Sequence, residues 1–432
     1  MSNSATYGGC FGPKWVVFWP KMKYVLAQNG MCFGPKRKPA VALLLFITLT
    51  FMPATLLAQT GRYSVDFSIS PTDFVDSIAI EWTGEQVLVP VSIGGQSYRF
   101  LLDTGAGQTV VYADTPLAGA PSAGTIKARD AVGRTDTVRM VRLPQMRIGN
   151  TTLTGCQATV QRRAVRRTGI DGILGFDIVN RGLSMKIDVR NRLMVLTDRR
   201  RFFDSEPANV MRYRLDYHVP YVDVSPFPQF KERTLIDTGS RQLYVVNKRS
   251  IDEATDGLSE TTGFSVEGRS FGRSAIGYTG AEERSEVWFL HLPAVHMGNT
   301  TLTGMHTITT QGGSHLGAPL LSYGAMTFVP KGKRMRFQPY CGTDTCHVDN
   351  SQTEIAFIPD GNRTIVGLVW DGGEPYRCGF REGDVLQTID GRPVRSFRQF
   401  AAWGFERGRE YRFGVIGSDG TQREIRWVRL KE

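Results

Sequence analysis

The chain has 432 residues, enough for two or three domains that each bury a core, with ordinary apolar content. Its 47 Gly and scarce helical periodicity point to a turn-rich β protein and away from a helical bundle. Of the formal charge of +11, +6 lies in residues 1–58, which hold no acid, and +5 beyond them, so the net charge is no argument for a nucleic-acid binder. The Arg162-Arg163-Ala164-Val165-Arg166-Arg167 and Arg199-Arg200-Arg201 clusters come with no nucleic-acid motif and read as a solvated loop and a charged strand end.

Lys36-Arg37-Lys38 precede an apolar run from Ala40 to Leu49, and small Ala58 follows Leu56-Leu57. A basic region, a short apolar core and a small residue make a secretory signal pattern, with cleavage expected before Gln59; a retained anchor is the alternative. Upstream, Cys10-Phe11-Gly12-Pro13-Lys14 recurs as Cys32-Phe33-Gly34-Pro35-Lys36, and the true start is read as Met22 or Met31. Export to the periplasm or cell surface is the expectation, with an oxidising compartment. There Cys341 and Cys346 form a candidate disulfide pair, while Cys156 and Cys378 read as isolated thiols.

The body of the chain repeats itself. Leu102-Asp103-Thr104-Gly105 returns as Ile236-Asp237-Thr238-Gly239, 134 residues on. Gly149-Asn150-Thr151-Thr152-Leu153-Thr154-Gly155 returns as Gly298-Asn299-Thr300-Thr301-Leu302-Thr303-Gly304 at 149, and Leu174-Gly175 returns as Leu316-Gly317 at 142. Gly182 and Ile187 match Gly324 and Val329 at that last offset. Three blocks in one order, with changing offsets, describe a duplication with loop insertions.

Each half reads as strands. Val87 to Ile93, a Gly94-Gly95 turn and Tyr98 to Leu102 lead into Asp103. Tyr221 to Val224 and Thr234 to Ile236 lead into Asp237. Thr125 to Val138 predicts a hairpin turning near 130–133, and Phe264 to Val287 is its longer counterpart. The fold expected is all-β: two barrel-like lobes, 59–205 and 206–340.

A lone Asp-Thr-Gly is ordinary turn chemistry, in which Asp caps and Gly takes positive φ. Here apolar residues precede each Asp, Ala106 or Ser240 follows each Gly, and an apolar-Gly pair recurs downstream in both halves. In these features residues 85–340 resemble the retropepsin-like aspartic peptidases. The resemblance implies that Asp103 and Asp237 are the catalytic pair, sharing a proton and activating water. It implies that Thr104 and Thr238 lock the two loops together, and that Gly105 and Gly239 admit substrate backbone. Leu174, Gly175, Leu316 and Gly317 would form the supporting loops. Asp130, Ala131, Val132 and Gly133 would be the flap tip, although no flap tyrosine is evident. The activity implied is peptide or protein hydrolysis by one chain, with no metal or cofactor and no nucleic acid. A catalytically silent peptide-binding protein of the same fold is the alternative.

Rival constellations lack their motifs. His291 and His296 have no spaced Cys or acid with them and read as strand residues. No His-Glu-x-x-His occurs. After a linker at 341–352, residues 353–432 include Cys378-Gly379-Phe380-Arg381-Glu382-Gly383-Asp384-Val385 and Ile389-Asp390-Gly391. This stretch resembles bacterial PDZ domains, followed by a short helix over 396–405 and strands over 411–416 and 424–428. Such a domain would capture a C-terminal peptide by strand addition, although the expected carboxylate loop is not evident.

Overall fold

Strand pairing organises the chain. A computed structural model describes residues 63–129, 134–163, 169–255, 263–277, 280–406 and 408–428. The leader, with its signal pattern, lies outside the described residues, and so do the flap candidates Asp130, Ala131, Val132 and Gly133. Among the described residues the α-helices are short, the longest being Lys248–Thr255, and the fold is all-β. No described helix is long and apolar enough to cross a membrane.

In the first half, Val87–Ile93 folds back on Gln96–Leu102 through Gly94 and Gly95, with Ile93 opposite Gln96. Both turn residues have positive φ, at 59° and 84°, which glycine adopts without strain and which matches the twist of a two-residue hairpin. Gln96–Leu102 then pairs in parallel with Gly172–Leu174, placing Leu102 opposite Leu174. In the second half, Val219–Val224 pairs with Glu232–Asp237, which lies parallel to His315–Gly317 with Ile236 opposite Leu316. Positions that match in the sequence repeat thus pair in matching register.

The two halves meet in a six-stranded sheet. Its order is Asn209–Arg212, Arg334–Pro339, Gly324–Val329, Ser184–Asp188, Leu193–Thr197 and Val75–Ala79, three strands from each half. At its centre Ile187 faces Met326. One apolar core runs beneath both halves: Phe176 of the first packs edge-on against Phe328 and Tyr213 of the second, at ring separations of 5.0 and 5.8 Å. Fully buried aromatic rings of this kind are a large share of what burial contributes to a core.

The expected hairpin is present as Ser122–Arg129 paired with Thr135–Arg142, and its counterpart as Ser265–Gly272 paired with Ser285–Met297. The second carries an extra pair of short strands, Ile276–Gly277 and Gly280–Ala281.

Residues 355–428 form a further sheet in the order Ile355–Asp360, Arg363–Val369, Val385–Ile389, Glu410–Ile416, Gln422–Val428, around Phe357, Phe380, Phe400, Phe413 and Trp427. Its helix spans Phe397–Ala401, capped by the Ser396 hydroxyl accepting from Gln399 N at 3.2 Å, and ends short of the expected Phe405. Gly404 lies just past its end, and glycine disfavours helix. Asp390 and Gly391 take positive φ and make the expected turn.

Cys341 and Cys346, the candidate disulfide, are free thiols here with their sulfurs 2.9 Å apart. A bond requires about 2.05 Å, so the pair is in place but unbonded. The Cys341 thiol is lowered, first by its hydrogen bond with Cys346, while burial pushes the Cys346 thiol up to about 12. Cys156 and Cys378 are also free thiols, the first of them buried.

Candidate active site

Each Asp-Thr-Gly sits where a strand leaves a parallel pairing. Asp103 N donates to Leu174 O at 3.0 Å, and Ala106 N closes a turn on Asp103 O at 3.2 Å. In the second half Asp237 pairs with Gly317, and Ser240 N closes on Asp237 O at 3.1 Å. Behind the loops, Phe176 N donates to Ala106 O at 2.8 Å and Ala318 N to Ser240 O at 2.9 Å. Gly175 and Gly317 allow this contact: an added Cβ at Gly175 would lie 2.6 Å from the Gln108 carbonyl carbon, and one at Gly317 would strike Gln242 O. Leu174, Gly175, Leu316 and Gly317 therefore stand directly behind the two Asp loops.

The two threonines tie the loops to each other. Thr104 N donates to Thr238 Oγ1 at 3.0 Å, and Thr238 N to Thr104 Oγ1 at 3.1 Å. Each hydroxyl then donates across the interface, Thr104 Oγ1 to Ile236 O at 2.6 Å and Thr238 Oγ1 to Leu102 O at 2.9 Å. Both threonines are buried, so these four bonds also satisfy groups that would be costly to bury unpaired.

This grip sets the carboxylates against the opposite loop. A Cβ added at Gly105 would lie 2.5 Å from Asp237 Oδ1, and one added at Gly239 would collide with the Asp103 carboxyl. Asp103 is buried, Asp237 is half-buried, and Asp237 Oδ1 accepts from Gly239 N at 2.9 Å.

Several neighbours carry no signal in the sequence. Tyr221 stands opposite Leu235, two residues before Asp237. Its hydroxyl titrates higher than usual, first because of burial; Asp216 and Asp237 add to the shift, and Arg233 and Arg129 oppose it. The turn Tyr217-His218 runs against the first loop: a Cβ at Gly107 would lie 2.7 Å from Tyr217 O. Arg129, on the first hairpin, holds its guanidinium 5.6 Å from the Tyr217 ring. Tyr63 stacks on His218 at 3.5 Å, and Asn180 Nδ2 donates to Tyr63 OH and His218 O, each at 2.8 Å.

Each half also buries an acid. Asp177 accepts from Thr109 N and Thr109 Oγ1, both at 3.0 Å, and burial pushes its carboxyl up to about 6. Glu232 accepts from Tyr244 OH at 3.2 Å, from Ser250 Oγ at 2.6 Å and from Ser314 Oγ, and burial raises it as well. His291 lies 4.9 Å from the His306 ring, and His296 bonds Thr301 Oγ1 at 3.0 Å. Among the described residues no three His, Cys, Asp or Glu side chains are grouped to hold a metal.

Comparison with known proteins places the first carboxylate loop in a family context. Residues 89–178, from the strand before Asp103 through Gly175, match the family model described as aspartyl protease. The chain is similar to the solved structure of aspartic proteinase from Irpex lacteus, at 12% identity and a TM-score of 0.42, over 62% of this chain and 99% of that one. No curated protein matches the chain.

Proposed function

We propose that the protein is an aspartic endopeptidase in which Asp103 and Asp237, supplied by one chain, activate a water for attack on a peptide carbonyl. The observation that carries this is reciprocal: each Asp lies against the glycine of the other loop, across four threonine hydrogen bonds. With one shared proton, the ionised carboxylate accepts a proton from the water while the protonated one donates to the carbonyl oxygen. The resulting tetrahedral intermediate then takes a proton on its nitrogen, and the C–N bond breaks to release amine and acid. The frame serves this by holding both groups at fixed separation before substrate arrives. The match to the aspartyl protease family model supports a protease and a peptide or protein substrate.

The basic and apolar leader supports export to the periplasm or cell surface. For the C-terminal module, a PDZ-like role in capturing chain ends draws support from Ile355–Asp360, which ends its sheet order as strand addition requires.

The test is hydrolysis of an unstructured peptide mixture, followed by mass spectrometry, with and without a statine-type inhibitor. The reading expects internal cleavages that the inhibitor and Asp103→Asn each abolish. Cleavage indifferent to both would contradict it, and peptide binding without cleavage would favour the silent-protein alternative.

A further inference from the structure

The C-terminal module is seated on the second lobe's hairpin through a seam with unusual chemistry. Arg273 N donates to Gly367 O at 2.7 Å, and Ser270 Oγ to Val369 O at 2.8 Å. Glycines allow this backbone-to-backbone approach. An added Cβ at Gly272 would strike Gly367 O, one at Gly268 would strike the Trp370 indole nitrogen, and one at Gly367 would lie 2.6 Å from Arg273 O. None of the three has positive φ, so close approach is what excludes a side chain there. Val287, Phe289 and Ile308 of the lobe share a small core with Leu368, and Phe289 stacks on Trp370 at 5.7 Å. Further out, Ile276 packs against the module's own core, and Arg284 grips Glu382 with two bonds of 2.9 Å.

The same hairpin reaches the other lobe. Arg134, just past the tip of the first hairpin, donates through Nη2 to Ala281 O at 3.1 Å. Ala281 lies in the short strand pair between Ile276 and Arg284, the two residues that the module holds. On its opposite strand the first hairpin rests Arg129 on Tyr217, whose carbonyl abuts the Asp103 loop. A continuous set of contacts therefore runs from the module, through the second hairpin, to the first hairpin and on to the turn that abuts the Asp103 loop.

We infer that the C-terminal module is a working part of the peptidase: Arg284, Ile276 and the glycine seam are positioning elements that hold the second hairpin so that it anchors the first through the Arg134–Ala281 contact. The kinetic part of this inference rests on the proposed peptidase reading. The contact set couples whatever the module binds to how firmly substrate is enclosed. Substrate enclosure is a demand on binding and orientation, so the effect falls mainly on KM.

The test uses the full chain and three variants: Arg284→Glu, the reciprocal Arg284→Glu/Glu382→Arg pair, and Gly272→Ala. Arg284 and Glu382 are solvent-accessible, so the charge variants keep the fold even where Gly272→Ala does not. Hydrogen exchange is read over Ser265–Gly272 and over Thr135–Arg142, alongside peptide kinetics. Arg284→Glu is expected to speed exchange in both hairpins and to raise KM by roughly threefold to tenfold, the scale of a bidentate pair lost and reversed. The reciprocal pair should restore both readouts. Faster exchange confined to the second hairpin, with the first hairpin and KM unchanged, would overturn the inference. If the unaltered protein cleaves nothing, the peptidase reading fails on its own, and exchange in the first hairpin still decides the coupling.

Discussion

The two halves hold their carboxylates in the same backbone frame but bury different acids in their interiors. Strand pairing, turn closure and the threonine grip correspond bond for bond between Asp103 and Asp237. In the first half Asp177 bonds Thr109, while in the second Glu232, at the far end of the strand that leads into Asp237, gathers three hydroxyls. At the offsets of the sequence repeat neither set of residues recurs. Thr109 corresponds to Leu243 and Asp177 to Pro319, whereas Glu232 corresponds to Tyr98. The shared parts are those that touch the other half, where both loops face the same geometric demand. The parts facing each lobe's own interior are free to differ, provided every buried polar group finds a partner.

This comparison can be broken most forcefully at the glycines. Gly105→Ala and Gly239→Ala each place a methyl group against the opposite carboxyl, at backbone angles that alanine accepts. A displacement near 1 Å at the reacting groups costs on the order of a hundredfold, so both variants should lose at least about that much kcat/KM while remaining folded. Equal losses would support equivalent halves. A large loss in one and none in the other would show that only one carboxylate stands where the reaction occurs.

The buried acids sharpen the comparison from the side of stability. Asp177 titrates at about 6 in the folded chain against 3.8 ordinarily, so the folded state keeps a proton that the unfolded state has released. Stability from this group is therefore greatest below about pH 4 and falls as pH rises toward 6. Asp177→Asn removes that slope. Urea unfolding at pH 4 and pH 7 should show the variant gaining on the unaltered protein by roughly 3 kcal/mol between the two, as about two pKa units imply. Glu232→Gln should drift in the same direction, because Glu232 is also raised by burial. A variant-to-parent difference that stays constant with pH would mean that these acids are ionised in the fold.

Much of the frame was legible in the sequence because it is written in local signals. Gly94-Gly95 marks a two-residue hairpin, the β-branched run before it marks a strand, and the Asp-Thr-Gly and Leu-Gly blocks recur in order. The hairpin at Thr125 to Val138 also stood out, although its tip at 130–133 lies outside the described residues. What was not legible depends on tertiary contact. Tyr221 lies in an ordinary alternating strand, and only pairing with Glu232–Asp237 brings it near Asp237. Glu232 looks like one more surface acid until Tyr244, Ser250 and Ser314 converge on it. Gly268, Gly272 and Gly367 carry no signal in the sequence, yet they lie in strands where the Trp370 indole or another backbone comes close. The spacing of Cys341 and Cys346 brought out their proximity and could not supply their bonding state.

The central claim is that one chain supplies both working carboxylates, and Asp237→Asn tests it most directly. Asn nearly matches Asp in shape and can still accept from Gly239 N, so the fold should persist, as circular dichroism would confirm. The measurement is kcat/KM on a cleaved peptide for Asp237→Asn, Asp103→Asn and the double variant. The account predicts near-complete loss in each single variant and hardly more in the double, since groups that act as a unit are strongly non-additive. A folded Asp237→Asn protein with near-full activity would contradict it and would leave Asp103, paired with its copy in a second chain, as the catalytic carboxylate.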